Sequence, residues 1–311
     1  ENFIKCLDED TEDYSALYNV VYCFDFLDQN EEAITYLTKF IDKNPYSEVA
    51  WHQLGRQYYA LKNYEKAVWA FEFATLIDEG FLGAYMEKAK SYEKLKKFEE
   101  AIECYQIAIE LDDPSSFVLL RMAKCYERLG NIEFTLNFYL KTVHEDPLLD
   151  KGWIAITDFY IRQKNYQKAL YYVNKAIGID GDNPLYWKRF AAVNSALHFF
   201  EEAEYGYRKA FESGDVNLDT FTLWTDVLQF LGEFDNAIEI LLEATNLFPE
   251  EYEIEYRLAG LYFLCNEDIK GNFHLNNGLR LNYKNKTVLK DYFPVVWERT
   301  EVQNQIAKFK K

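Results

Sequence analysis

Four histidines, five cysteines and a surplus of carboxylates are the residues through which this sequence could do acid–base, nucleophilic or metal chemistry. A metal site needs several donors converging on one point. His52, His144, His198 and His274 lie far apart along the chain and occupy no shared pattern. Cys6, Cys23, Cys104, Cys125 and Cys265 are odd in number and never spaced as a CxxC pair. That spacing points neither to a disulfide framework nor to a zinc site, and a reducing, cytoplasmic compartment is the simpler expectation. Carboxylate pairs such as Glu99-Glu100 and Glu201-Glu202 stand where helices are expected to start, and there the positive end of the helix dipole accounts for them. Hydrolysis by paired carboxylates requires two that face each other across a cleft, and the sequence singles out no such pair. It holds no HExxH, GxSxG, phosphate-cradling glycine loop or dinucleotide fingerprint. Asn285-Lys286-Thr287 has the form of a glycosylation acceptor, a three-residue match that chance explains. No catalytic residue, metal ligand or cofactor is expected, and the chain reads as a non-enzyme.

Composition narrows the class further. The 311 residues are 49% apolar and 18% aromatic, enough to bury a large core. With only 13 Gly and 6 Pro, helices joined by short turns fit better than many short strands. Lys and Arg number 34 against 52 Asp and Glu, a formal charge of −18. A surface that binds phosphate is usually basic, so nucleic acid is not an expected partner. No apolar run is long enough to insert across a membrane.

The elements that would carry any site are set by a repeat. One phrase recurs: Leu61-Lys-Asn-Tyr-Glu-Lys-Ala67, Leu95-Lys-Lys-Phe-Glu-Glu-Ala101, Leu129-Gly-Asn-Ile-Glu-Phe-Thr135 and Gln163-Lys-Asn-Tyr-Gln-Lys-Ala169. It continues as Leu197-His-Phe-Phe-Glu-Glu-Ala203 and Leu231-Gly-Glu-Phe-Asp-Asn-Ala237, always 34 residues on. The same ruler reaches Ala33 and Gly271. Numbering places within each 34-residue window, place 4 holds Leu17, Trp51, Tyr85, Leu119, Trp153, Trp187 and Phe221, and place 11 mostly Tyr. Place 8 is small, as in Gly55, Ala89, Ala123, Ala191 and Ala259. Places 4, 7 and 11 share one helical face. A second helix repeats the scheme, with small residues at places 20 and 27 around a bulky one at 24, namely Phe71, Tyr105, Tyr139 and Tyr207. Small residues let helix axes approach and large ones fill the gaps. Pro45, Pro147 and Pro249 fall at place 32, between one helix pair and the next.

These residues make the chain resemble the tetratricopeptide-repeat family over about nine tenths of its length. The resemblance implies an all-α, right-handed superhelical solenoid of stacked helix pairs. Eight full repeats are expected at 14–47, 48–81, 82–115, 116–149, 150–183, 184–217, 218–251 and 252–285. Because the chain opens inside a pattern, 1–13 is expected to be the second helix of a preceding repeat, and the chain a piece of a longer array. Residues 286–311 are expected to form a partial helix and a capping helix, with Val296, Val302, Ile306 and Phe309 on the last apolar face and Glu298, Lys308 and Lys310 toward water. Gly271 and Gly278 make the eighth repeat the one expected to be loosest.

In this family the first helix of each pair lines a concave groove through places 2, 5, 6, 9, 12 and 13. Those places hold ten basic residues in repeats two to six: Arg56, Lys90, Lys94, Arg121, Lys124, Arg128, Lys151, Arg162, Lys188 and Arg189. Against them stand the four acids Glu87, Glu93, Glu127 and Asp158. A positive channel in an acidic chain would steer and hold an acidic segment of a protein partner. Tyr59 lies among the basic residues, Tyr18, Tyr22 and Phe26 toward one end, and Phe230, Tyr256 and Phe263 toward the other, as apolar anchors. The carboxylate clamp by which some family members hold chaperone tails is not present, since Met86 and Ala155 interrupt its nearest match. The expected function is a non-catalytic scaffold or adaptor that binds a partner peptide in the groove. The alternative is the substrate-recruiting part of a larger enzyme or of a secretion or assembly component.

Overall fold

The chain is seen in a computed structural model, which describes Phe3, Cys6, Leu7, Asp10 and residues 13–309. The second helix expected over 1–13 falls mostly outside the described residues, as does Lys310. Among the described residues the secondary structure is helical throughout, with no strand. The chain divides into two compact halves, residues 1–152 and 153–311. The first carries α1 (Tyr14–Phe26), α2 (Asn30–Lys43), α3 (Glu48–Ala60), α4 (Tyr64–Ile77), α5 (Leu82–Lys94), α6 (Phe98–Leu111), α7 (Ser116–Arg128) and α8 (Ile132–Glu145). There follow α9 (Asp150–Arg162), α10 (Tyr166–Ile179), α11 (Pro184–Ala196), α12 (Phe200–Glu212), α13 (Leu218–Leu231), α14 (Phe234–Leu247), α15 (Tyr252–Leu264) and α16 (Asp268–Asn282). A 3-10 turn, Tyr283–Asn285, leads to three short helices, α17 (Thr287–Tyr292), α18 (Pro294–Trp297) and α19 (Thr300–Phe309).

Local chemistry sets these boundaries. Asn63, Asn131 and Asn165 all stand at place 16, and each side-chain oxygen accepts the backbone N–H three residues on, capping a second helix. Ser47 and Ser115 cap first helices in the same way. One residue before the place-16 position the backbone turns into the left-handed region in all eight repeats. Asp28, Lys62, Lys96, Lys164, His198 and Asn266 have φ between 55° and 62°, and Gly130 and Gly232 reach 75° and 78°. This single residue reverses the chain between the two helices of a pair, closing the first one as a left-handed C-terminal cap does. Only two of the eight are glycine, the residue that enters this region without steric cost.

Packing follows the small-and-large alternation. At Gly55 an added Cβ would lie 2.5 Å from the Phe71 ring, so that glycine is what lets α3 and α4 close. Tyr105, Tyr139 and Tyr207, at place 24, are buried at the centre of their pairs. Place-4 tryptophans tie each pair to the turn before it: Trp51 Nε1 donates to the Pro45 carbonyl at 2.9 Å and Trp187 Nε1 to that of Gly181 at 2.7 Å.

The last repeat corrects an expectation. Gly271 and Gly278 do not loosen it; they admit the rings of Phe263 and Tyr256, which a Cβ would meet at 2.8 and 2.9 Å. Small residues there bring α16 close against α15. Beyond it Leu289, Phe293, Val296, Val302 and Ile306 join the same core, while Phe309 stays partly exposed. The Phe293 ring fills the hollow left by Gly260, where a Cβ would stand 2.3 Å away.

Candidate functional site: inward faces of the first helices

The inward positions of successive first helices touch, and their charges pair across repeats. Arg121 of α7 binds Glu93 of α5 through two bonds, Nε to Oε1 at 2.7 Å and Nη2 to Oε2 at 3.0 Å. Tyr105 donates its hydroxyl hydrogen to Glu93 Oε1 at 2.6 Å and accepts from Arg121 Nε at 2.7 Å. Arg189 Nε donates to Asp158 Oδ1 at 2.7 Å, Arg56 Nε lies 3.9 Å from Glu87, and Arg257 binds Asp226. In each case place 6 of one repeat meets place 9 or 12 of the repeat before it. That register puts the partners 28 or 31 residues apart, a full period less one or two helical turns. The sequence carried this signal as opposite charges at that spacing, but a sum of groove charges hides it.

Much of the expected positive channel is therefore matched internally. Arg56, Arg121, Lys188 and Arg189 each have a carboxylate within 4 Å; for Lys188 it is Asp215, 3.6 Å away. Buried Asp215 also accepts from Thr220 Oγ1 at 2.7 Å and from the Asn217 amide. Burial pushes its carboxyl upward, but these hydrogen bonds and Lys188 outweigh that and hold it below the usual carboxylate range. Lys188 thus anchors the turn before α13. Arg162 is exposed on α9.

Within the first half, Asp25, Arg56, Gln57, Tyr59, Glu87 and Lys90 line a cleft of about 500 Å³. Gln57 Nε2 donates to Asp25 Oδ1 at 2.8 Å, and Tyr59 packs edge-on against Tyr64. Burial raises Glu87, yet His52, Arg56 and Lys90 more than offset it and leave the carboxyl below its ordinary value. A second cleft of about 660 Å³ is lined by Glu93, Lys94, Lys96, Phe98, Arg121, Lys124, Cys125, Glu127 and Arg128. Here lies the cationic surplus: Lys94, Lys96, Lys124 and Arg128 are exposed and make no ion pair among the described residues. Lys90 sits 5.6 Å above the Phe117 ring, and Lys151 is exposed at the end of this half. Tyr18, Tyr22 and Phe26 are open to solvent on α1, Phe26 to 80%.

Tyr256 and Phe263 require correction as groove anchors. Tyr256 is 0% exposed, its hydroxyl donates to the Asn282 carbonyl at 2.9 Å, and Phe263 is likewise buried. Both hold places that line the groove in the family scheme, but here their rings turn onto α16, at Gly278 and Gly271. Phe230 does stay open, at 72%.

The second half holds a site that the search for groove charges missed. Arg257, 3% exposed, binds Asp226, donates to Glu253 Oε1 from Nε at 3.0 Å and to the Thr222 carbonyl at 3.3 Å, and stacks 3.8 Å from the Tyr292 ring. Burial raises Asp226 despite Arg257. Beside this cluster Ala192, Ser195, His198, Phe200, Leu223, Val227 and Phe230 help to line an apolar cleft of about 450 Å³.

Two of the cysteines are suppressed as nucleophiles. Burial pushes Cys104 up to about 11 and Cys125 up to about 12, keeping both as thiols. Among the described residues no three His, Cys, Asp or Glu side chains come together to hold a metal, and no helix is long and apolar enough to cross a membrane.

Models of the tetratricopeptide repeat match residues 15–47 and 83–113. No curated protein matches the sequence. Among solved structures, the C-terminal part of a repeat-containing protein from Cytophaga hutchinsonii is 17% identical, with 88% of this chain and 98% of that one aligned at a TM-score of 0.60. Pseudomonas aeruginosa pilF is 20% identical over 65% of this chain and 92% of its own, with a TM-score of 0.53. MamA from Desulfovibrio magneticus RS-1 is 16% identical over 54% and 96%, with a TM-score of 0.50. At these identities the likeness is one of fold. Helix pairs of one length, turned by one left-handed residue and matched by two repeat models, make this chain a tetratricopeptide-repeat protein.

Proposed function

We propose that this chain, a protein–protein interaction scaffold, holds an acidic peptide segment of a partner protein against the first helices of its first half and does no catalysis of its own. The observation that carries the reading is the 660 Å³ cleft, where Lys94, Lys96, Lys124 and Arg128 keep their charge available while Arg121 is spent on Glu93. Cations left unmatched in a chain of formal charge −18 concentrate positive potential where an anionic segment would dock. Apolar side chains at Tyr18, Tyr22, Tyr59 and Phe117 offer contact area for its uncharged residues.

Reversing Lys94, Lys124 and Arg128 to Glu tests this. A fluorescein-labelled hexaglutamate peptide followed by anisotropy is expected to bind the wild-type chain with an affinity that falls as salt rises. The triple variant should lose at least about tenfold while its unfolding transition moves by less than about 1 kcal/mol, since all three residues are exposed. Equal binding to both chains would defeat the proposal.

A further inference from the structure

We propose that the second half carries a separate docking pocket for a partner segment that places an aromatic side chain beside a Lys or Arg. The inference rests on reading the chain as a peptide-holding scaffold, but it uses none of the residues of the basic cleft. The pocket is lined by Ala192 and Ala196 of α11, Tyr207 of α12 and Val227 of α13. Phe200 and Phe230, which also line it, stack face to face with centroids 4.8 Å apart and planes 7° from parallel. Phe230 nonetheless leaves most of its surface in water, and Leu223 beside it is also exposed. Two large apolar side chains held open over an apolar cleft leave burial energy unused, and a partner side chain inserted there would collect it.

The rim says what that side chain should have next to it. Phe230 and Asp226 also line a second cleft of about 290 Å³, completed by Gln229, Asp291 and Tyr292, so the apolar pocket opens directly onto a polar one. Gln229 Nε2 reaches the Tyr292 carbonyl at 3.5 Å and fixes the segment that carries Asp291. Around this second cleft Asp226 and Glu253 share one guanidinium, that of Arg257, which is itself buried. Asp291 is exposed and makes no ion pair among the described residues, and Lys290 lines neither cleft. The second cleft is thus lined by two carboxylates, Asp226 and Asp291, and by no cation, and Asp226 also lines the aromatic hollow. A cationic side chain flanking an aromatic one matches both parts, through charge at the rim and area in the hollow.

Acetylated and amidated alanine-based heptapeptides with Phe and Lys three residues apart are the probe, titrated into the whole chain while backbone amide resonances are followed. The expected result is shifts at Ala192, Ser195, Ala196, Leu223 and Phe230. Replacing the peptide's Phe by Ala should cost at least about tenfold in affinity, and replacing its Lys by Glu about fivefold. Asp291→Lys in the chain should reverse that charge preference, because Asp291 supports no buried cluster. The chain with Lys94, Lys124 and Arg128 reversed should bind the probe as wild type does, which separates this pocket from the basic cleft. The proposal is overturned if the five amides do not move, if the Phe and Ala peptides bind equally, or if the first-half reversal abolishes binding. Shifts at the same amides that grow with protein concentration alone would overturn it too, by assigning the face to a second copy of the chain.

Discussion

Glu93 sits between two donors that come from different repeats, and its carboxylate organises both. Tyr105 is fully buried, and burial together with Glu93 pushes its phenol well above the ordinary range, so it stays neutral while it donates to Glu93 and accepts from Arg121. Desolvation disfavours the Arg121 charge, but Tyr105 and Glu93 more than compensate and raise its pKa. Tyr105→Phe removes one donor from a charge-assisted network and should destabilise the first half by about 1–3 kcal/mol. Glu93→Gln should cost at least as much, because Arg121 would keep a half-buried charge with a weaker acceptor. In a double-mutant cycle by urea unfolding, the two losses should fall short of additivity by more than about 0.5 kcal/mol. Simple additivity would mean that the three side chains do not act together. The same geometry shows why a charge sum over the groove misled: the places that face inward also face one another, and an arginine counts toward a ligand only when no carboxylate lies one repeat away.

At the scale of the helix pair, the period, the two helices and the small-large alternation were legible in the sequence because each rests on side-chain size repeated every 34 residues. The left-handed turn was not, since six of its eight residues are not glycine, and although Asp28, His198 and Asn266 are types that enter this region more readily, Lys62, Lys96 and Lys164 are not. Lys62 and Lys164 are exposed and occupy this conformation against their preference. Lys62→Gly and Lys164→Gly should each raise stability by about 0.5–1 kcal/mol, the relief of the left-handed strain less the added freedom of the unfolded glycine. A fall in denaturation midpoint for both would show that the lysine stems contribute packing that outweighs the strain. The burial of Tyr256 was hidden for a different reason. Its place lines the groove in the family scheme, and its ring is covered because it turns onto Gly278 and the end of α16.

Across the whole molecule the two halves offer unlike chemistry from one repeated plan: a cleft with spare cations in residues 1–152, and an apolar cleft with spare carboxylates in residues 153–311. Formal charge, −18 over the chain, predicts neither, because Arg56, Arg121, Lys188 and Arg189 are matched by nearby carboxylates while Lys94, Lys96, Lys124 and Arg128 are not. The hollow at Gly260 has a consequence of its own. Repeat arrays are built from faces that fit the next copy of the same motif, so any uncovered apolar end is a template for another molecule, and such head-to-tail contacts do not close on themselves. Phe293, seated where a side chain at position 260 would be, satisfies that end from within the chain, at an effective concentration no neighbouring molecule can match. Gly260→Ala should evict the ring and open the apolar face at position 260, giving a chain that sediments as a monomer when dilute and lengthens into oligomers as its concentration rises. A variant that stays monomeric throughout would show that the end is protected by something other than this one ring. On that expectation, one missing methyl group would keep this apolar face from recruiting further copies of the chain.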